Sequence, residues 1–82
     1  MSLADKIRDY VLNQNIVPAR INGKRFVIVR SGDIHKAMKL NSRMPAVCGA
    51  IGSNKFLEKA GVKLISRKGP NQGATVEWVF EI

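Results

Sequence analysis

The chain has 82 residues, of which 45% are hydrophobic, and its 14 Lys and Arg outnumber its six Asp and Glu to give a formal net charge of +8. A chain this short has room for one hydrophobic core, so we expect a single domain over residues 1–82. No apolar run approaches the ~18 residues of a membrane helix and no signal peptide is evident, so a cytoplasmic protein is expected, nucleoid-associated if bacterial or archaeal.

The first predicted element is a helix from Leu3 to Asn13, because apolar residues recur there at three- and four-residue spacing. Pro18 is expected to prevent this helix from running further. The pair Asn22-Gly23 then lies between two strand-like runs, 17–21 and 24–30, which predicts a hairpin. Since residues 26–29 are apolar at every position, the second run is expected inside the sheet or against a partner chain.

Two short helices are predicted in the middle of the chain. Ser31 is a suitable N-cap for the first of them. Asn41 or Ser42 can cap the next, which is taken to begin at Ser42 and to turn one apolar stripe inward: Met44, Val47, Cys48 and Ile51. The stripe loses phase at Gly52-Ser53, which predicts a break followed by a further helix that is capped by Ser53 and ends at Gly61.

The C-terminal part of the chain predicts two strands, 62–67 and 74–82, around a basic loop from Arg67 to Gly73. The second strand alternates apolar and other residues, as expected of a sheet with one buried face. A chain reversal alone needs only two to five residues, so this longer loop with two cations is a candidate contact. The positive charge of the whole chain indicates a polyanion as the partner and nucleic acid first, although excess lysine that only aids solubility is an alternative.

The order helix, strand, helix, helix, strand, loop, strand in one basic domain resembles a winged helix-turn-helix. The resemblance implies an α+β fold in which helices pack on a small antiparallel sheet with a C-terminal wing hairpin; the predicted hairpin at Asn22-Gly23 adds a strand to it. It further implies double-stranded DNA as the partner, with helix 42–51 in the major groove and wing 67–73 on the DNA backbone.

The candidate DNA-binding residues come from the second helix, the third helix and the wing. The third helix is expected to expose Arg43, Ala46, Gly49 and Ala50, so that Arg43 is its one long donor for a base edge, unless that side chain is only solvated. Lysines of the second helix and the start of the fourth are candidate phosphate contacts, with solvation as the alternative for each. The full set is Lys36, Lys39, Asn41, Ser42, Arg43, Ala46, Lys55, Arg67 and Lys68.

Other residues favour plainer interpretations. Lys24 and Arg25 either grip the duplex or only protect the edge of the predicted hairpin. His35 is interpreted as a surface residue or phosphate donor, Cys48 as a small buried hydrophobe and Trp78 as a core residue. Nothing indicates an enzyme, a cofactor, a metal or a small-molecule substrate.

The expected function is therefore that of a small transcriptional regulator or DNA-reading module, and the alternative is a protein-interaction module of the same fold. A homodimer is a further expectation on general grounds. Its interface is expected at the first helix or at the strand around residues 27 and 29.

Overall fold

Three short strands form one antiparallel sheet, and the helices cover one of its faces. The structure is a computed structural model that describes residues 2–82, and it shows an α+β chain. The helical elements are α1 (Leu3–Val11), a π-helical turn (Leu12–Ile16), α2 (Val17–Ile21), α3 (Ser31–Ala37), α4 (Met44–Ile51) and α5 (Asn54–Ala60). The strands are β1 (Phe26–Arg30), β2 (Lys63–Lys68) and β3 (Glu77–Glu81).

The sheet has the order β1-β3-β2, so the last strand of the chain lies in the middle. In β3, Trp78 and Phe80 point into the core, and they stand opposite Val29 and Val27 of β1. The expectation that residues 26–29 lie inside the sheet is wrong, because β1 is an edge strand. Its alternate residues are exposed, including Phe26 and Ile28.

The N-terminal helical segment continues past Pro18, so its predicted end at Asn13 is wrong. Proline lacks an N–H and its ring crowds the carbonyl four residues earlier, which is why it usually ends a helix. Here the turn before it widens: the Val17 N–H bonds to the Leu12 carbonyl, five residues back, and Pro18 stands in the first turn of α2. The wider π-helical turn makes room for the Pro18 ring, so the chain stays helical.

The hairpin predicted at Asn22-Gly23 is not formed, because residues 17–21 are helical. The Asn22 N–H bonds to the Pro18 carbonyl (3.0 Å), and Gly23 has φ +71° just after α2. A residue with positive φ suits the end of a helix as well as a tight hairpin turn, so the Asn-Gly pair alone does not separate the two.

The middle helices follow the predicted order with different ends. Ser31 is not the N-cap of α3 but its first residue, and its hydroxyl bonds elsewhere. The next helix, α4, begins at Met44 instead of Ser42 and has no side-chain cap. The predicted break at residues 52–53 and the following helix are confirmed: the Ser53 hydroxyl accepts the Phe56 N–H, and Gly61 ends α5 with φ +64°.

The core lies between the sheet and the helices. Trp78, Phe56 and Phe80 are its largest fully buried side chains, and the two phenylalanine rings meet at a centroid distance of 5.3 Å. Helix α1 contributes Ile7 and Val11 and packs against α4. The interpretation of Trp78 as a core residue is confirmed, although its indole N–H has no hydrogen-bond partner among residues 2–82.

Candidate nucleic-acid interface

The segment from α3 to α4 exposes three cations around one turn. Lys36 is exposed near the end of α3, and Lys39 (φ +55°) begins the turn. The chain then passes through exposed Asn41 and Ser42, of which Ser42 also has positive φ (+51°). Arg43 is exposed directly before α4. Two helices joined by such a turn present the start of the second helix outward, where a long donor can reach a ligand.

His35 fixes the position of the Arg43 backbone. The Arg43 N–H donates to His35 Nε2 at 3.2 Å, which satisfies one of the donors that every helix leaves free at its start. Nε2 therefore acts as the acceptor of this half-buried ring. Sequence reasoning missed this contact, because the seven residues between the partners contain an irregular turn that no pattern predicts.

The outward face of α4 is almost bare. Pro45, Gly49 and Gly52 are exposed, and a Cβ added at Gly49 would meet nothing within 4 Å. Ala46 is half-buried, and Ala50 is only 2% exposed, so the expectation that Ala50 faces outward is wrong. The physical reason is that the small alanine side chain fits at the border of the apolar stripe and joins the buried core. The helix backbone itself is the accessible surface.

Of the six acids of the sequence, only Asp33 lies in this segment, where it is exposed in the first turn of α3. Between residues 34 and 76 the sequence contains a single acid, Glu58, against eight Lys and Arg. Two of the remaining acids, Glu77 and Glu81, lie in β3 and pair with Arg30 (2.9 Å) and Arg25 (3.6 Å). Within residues 2–82, no carboxylate lies within 4.0 Å of the side-chain nitrogens of the α3–α4 cations.

The α1–α5 side carries cations as well, and three of them, Arg8, Lys55 and Lys59, lie within 4.0 Å of a carboxylate. Asp9 Oδ1 of α1 lies 2.7 Å from Lys59 Nζ of α5. Asp5 Oδ1 lies 3.1 Å from Arg8 Nη1 and 3.9 Å from Lys55 Nζ. Of the sequence-predicted contacts, Lys55 is the one with a carboxylate within 4.0 Å among residues 2–82.

The loop between β2 and β3 spans residues 69–76, and its two predicted cations stand at the end of β2 instead of in the loop. Lys68 is exposed and lies opposite Glu77 on the outer face of the sheet. Arg67 lies opposite Trp78 and thus on the face of the helices. Its guanidinium turns back onto the loop and donates to the carbonyls of Gly69, Pro70 and Asn71.

The far end of this loop is fastened to α3 and α4. The buried Ser31 hydroxyl donates to the Gly73 carbonyl at 2.5 Å, and the Gly32 N–H donates to the Ala74 carbonyl at 3.0 Å. A Cβ at Gly32 would lie 2.6 Å from that same carbonyl oxygen, so only glycine permits the approach. Cys48 Sγ lies 3.8 Å from the Gly73 carbonyl, and burial raises the pKa of its thiol, which confirms the interpretation of Cys48 as a buried residue.

The basic pair Lys24 and Arg25 is partly neutralised. Arg25 pairs with Glu81 and its guanidinium lies 5.7 Å from the centre of the Phe26 ring, whereas Lys24 is exposed beside it. Phe26 belongs to an apolar row on the outer face of the sheet together with Ile28 and Ile65, which are 58% and 48% exposed. Val27 and Val29, where a dimer contact was expected, face the core.

The part of the chain that the structure describes shows no group of three or more His, Cys, Asp and Glu placed for a metal, and no pocket opens in it. None of its helices is both long and apolar enough to cross a membrane. Comparisons with protein-family models, curated proteins and solved structures found no match.

Proposed function

We propose that this protein is a winged helix-turn-helix module that binds double-stranded DNA, as a small transcriptional regulator or as the DNA-reading part of a larger system. The start of α4 enters the major groove with Arg43 at a base edge, and Asn41 and Ser42 beside it. Lys36 and Lys39 hold the phosphates that flank this groove, and Ala46 lies against the bases. Lys68 and the β2–β3 loop reach the adjacent DNA backbone. Lys55 contacts a phosphate at the edge of this surface, and its ion pair with Asp5 weakens that contact.

The observation that carries this proposal is the separation of charge. Within residues 2–82, no carboxylate lies within 4.0 Å of the cations of the α3–α4 segment, although Asp33 stands in the first turn of α3. On the α1–α5 side, Asp5 and Asp9 pair with Arg8, Lys55 and Lys59. Cations left in water close to each other produce a positive potential that attracts polyanions. A bare helix face between them lets a duplex approach the α4 backbone closely. The element order, with an N-terminal helical segment, a strand, three short helices and a C-terminal pair of strands joined by a loop, supports the same proposal.

The deciding experiment measures binding of a labelled random duplex by fluorescence anisotropy at several salt concentrations, with a single strand and a double-stranded RNA beside it. We expect micromolar duplex binding with a steep salt dependence. The test variant replaces Lys36, Lys39 and Arg43 by glutamine. It should lose about tenfold or more in affinity at low salt, and its salt slope should fall by about two units, one for each of the phosphate contacts of Lys36 and Lys39.

A control variant of equal net charge replaces Lys6, Lys59 and Lys63 by glutamine, since these cations lie outside the proposed contact. Its salt slope should stay within about one unit of the wild type. If both variants weaken binding to the same extent, the protein attracts DNA through its total charge, and the α3–α4 surface has no special part.

A second candidate function is protein interaction through the outer face of the sheet. It is favoured by the exposed apolar side chains of Phe26, Ile28 and Ile65, which lie beside the unpaired edge of β1 or in β2. Soluble domains seldom expose contiguous apolar surface without a partner. Absence of duplex binding at low salt, despite the charge of +8, would favour this candidate over the first.

A further inference from the structure

The β2–β3 loop is organised around one side chain. Arg67 Nη1 donates to the Gly69 carbonyl at 3.3 Å, and Nη2 donates to the carbonyls of Pro70 and Asn71 at 2.8 and 2.9 Å. Three of the five N–H donors of the guanidinium are thereby occupied within the loop. Since its planar fork meets three successive carbonyls, Arg67 fixes the path of the backbone from residue 69 to residue 71.

The orientation of these carbonyls determines where the amide groups of the loop point. A trans peptide unit is planar and its C=O and N–H are antiparallel, and no cis peptide bond occurs in residues 2–82. Because the carbonyls of Pro70 and Asn71 point to the guanidinium, the N–H groups of Asn71 and Gln72 point away from it. Both residues are exposed, and neither N–H has a hydrogen-bond partner in the described chain.

We infer that Arg67 is a positioning residue which holds the loop so that the N–H groups of Asn71 and Gln72 bind a phosphate of the DNA backbone. This inference rests on the proposed function. It changes the role predicted for Arg67 from a direct DNA contact to a residue that positions the loop. Outward backbone N–H groups are good ligands for phosphate oxygens because they are fixed before the anion arrives. The far end of the loop supports this arrangement, since Ser31 and Gly32 bind it to the start of α3.

The first test concerns the free protein and needs no DNA. Arg67→Ala and Arg67→Lys are compared with Lys68→Ala by ¹⁵N relaxation of the amides of residues 69–72. Lysine keeps the charge but lacks the planar fork, so both Arg67 variants should become mobile on the nanosecond timescale, whereas Lys68→Ala should match the wild type. Wild-type order in Arg67→Lys would overturn the positioning role.

The second test measures duplex affinity and its salt dependence. Both Arg67 variants should bind about three- to tenfold more weakly, the effect of one or two lost hydrogen bonds, and Arg67→Lys should keep the wild-type salt slope. Lys68→Ala should lower the slope by about one unit instead. If Arg67→Lys binds like the wild type and Arg67→Ala loses a full unit of slope, Arg67 is an ordinary phosphate contact and the inference fails.

The backbone donors have a matched pair of variants of their own. Gln72→Ala retains the N–H at residue 72, and Gln72→Pro removes it at a residue whose φ is negative. We expect wild-type affinity for the alanine variant and a loss of about threefold or more for the proline variant with its slope unchanged. Equal affinities would exclude this N–H as a phosphate donor. If wild-type protein binds no duplex at all, the proposed function fails, while the relaxation experiment still decides whether Arg67 orders the loop.

Discussion

The α1–α5 side and the α3–α4 side of this protein carry similar cations and differ in what surrounds them. Lys55 and Lys59 stand one helical turn apart in α5, much as Lys36 and Lys39 stand close together around the end of α3. The first pair meets Asp5 and Asp9, which come from a helix about fifty residues earlier in the chain. No carboxylate of residues 2–82 lies within 4.0 Å of the second pair, although Asp33 precedes Lys36 by one turn of α3. A basic sequence thus becomes a basic surface only where the fold brings no carboxylate to it.

The largest effect that would sharpen this contrast is expected at Arg43. Arg43→Ala should cost about 1–3 kcal/mol of binding free energy on the preferred duplex and clearly less on random DNA, because one side chain reads a base edge. The backbone N–H that His35 accepts is still present in alanine, so the start of α4 should keep its place. The measurement is anisotropy after selection of a preferred sequence.

Lys39→Ala is the matched comparison for Arg43, since a phosphate contact weakens all duplexes alike. If Arg43→Ala and Lys39→Ala both lower affinity equally on preferred and random DNA, Arg43 is a phosphate contact as well. The sequence preference would then come from DNA shape.

At Gly49 we expect a smaller pair of effects, a gain in stability and a loss of DNA affinity. An added Cβ meets nothing there, and alanine favours helix over glycine, so Gly49→Ala should raise the free energy of unfolding by about 0.5–1 kcal/mol. If the α4 backbone lies against a duplex, the same methyl group should weaken DNA binding. Urea denaturation and anisotropy on the same preparation separate the two results.

Gly52→Ala is a steric control, because its Cβ would stand 2.9 Å from the Cys48 carbonyl oxygen and should destabilise the fold. A Gly49→Ala variant that is more stable and binds DNA as well as the wild type would show that the bare face of α4 does not touch the duplex.

The sequence predicted most of the elements because their signals are local. Alternation along β3, the cap at Ser53 and the stop at Gly61 each depend on a few neighbouring residues, and each is confirmed. The N-terminal segment was mispredicted for the converse reason. A proline and an Asn-Gly pair are each compatible with more than one backbone structure. Whether the chain forms a π-helical turn or a hairpin depends on packing with residues far away in the sequence.

The candidate site was less predictable than the fold. Periodicity predicted that residues 36, 39 and 43 would be exposed, which is confirmed. It did not predict that Arg67 would bind three carbonyls of its own loop. Nor did it predict that the Ser31 hydroxyl would donate to the Gly73 carbonyl instead of capping α3. Those contacts depend on how the loop folds back, and no residue pattern within the loop specifies it. Likewise, the ion pair of Lys59 with Asp9 is a tertiary contact that charge counting cannot locate.

The smallest expected effect lies on the paired side, at Asp5. Hydrogen bonding from Ser2 lowers the pKa of this half-buried carboxyl below its ordinary value of 3.8, and the charges of Lys55 and Arg8 lower it further. A lowered folded-state pKa adds stability that is present above the unfolded value and is lost as the pH falls through the folded one. Asp5→Asn should therefore flatten the acid limb of the stability curve below about pH 4.

The causes of that pKa shift can be ranked by NMR titration of the Asp5 carboxyl. Ser2→Ala should raise the pKa more than Lys55→Gln does, because the hydrogen bond acts at shorter range than an ammonium 3.9 Å away and exposed to water. The reverse order would make the ion pair the main stabiliser of α1. It would also mean that Lys55 is held firmly by Asp5, which would remove it from the proposed DNA contacts and widen the contrast between the two sides.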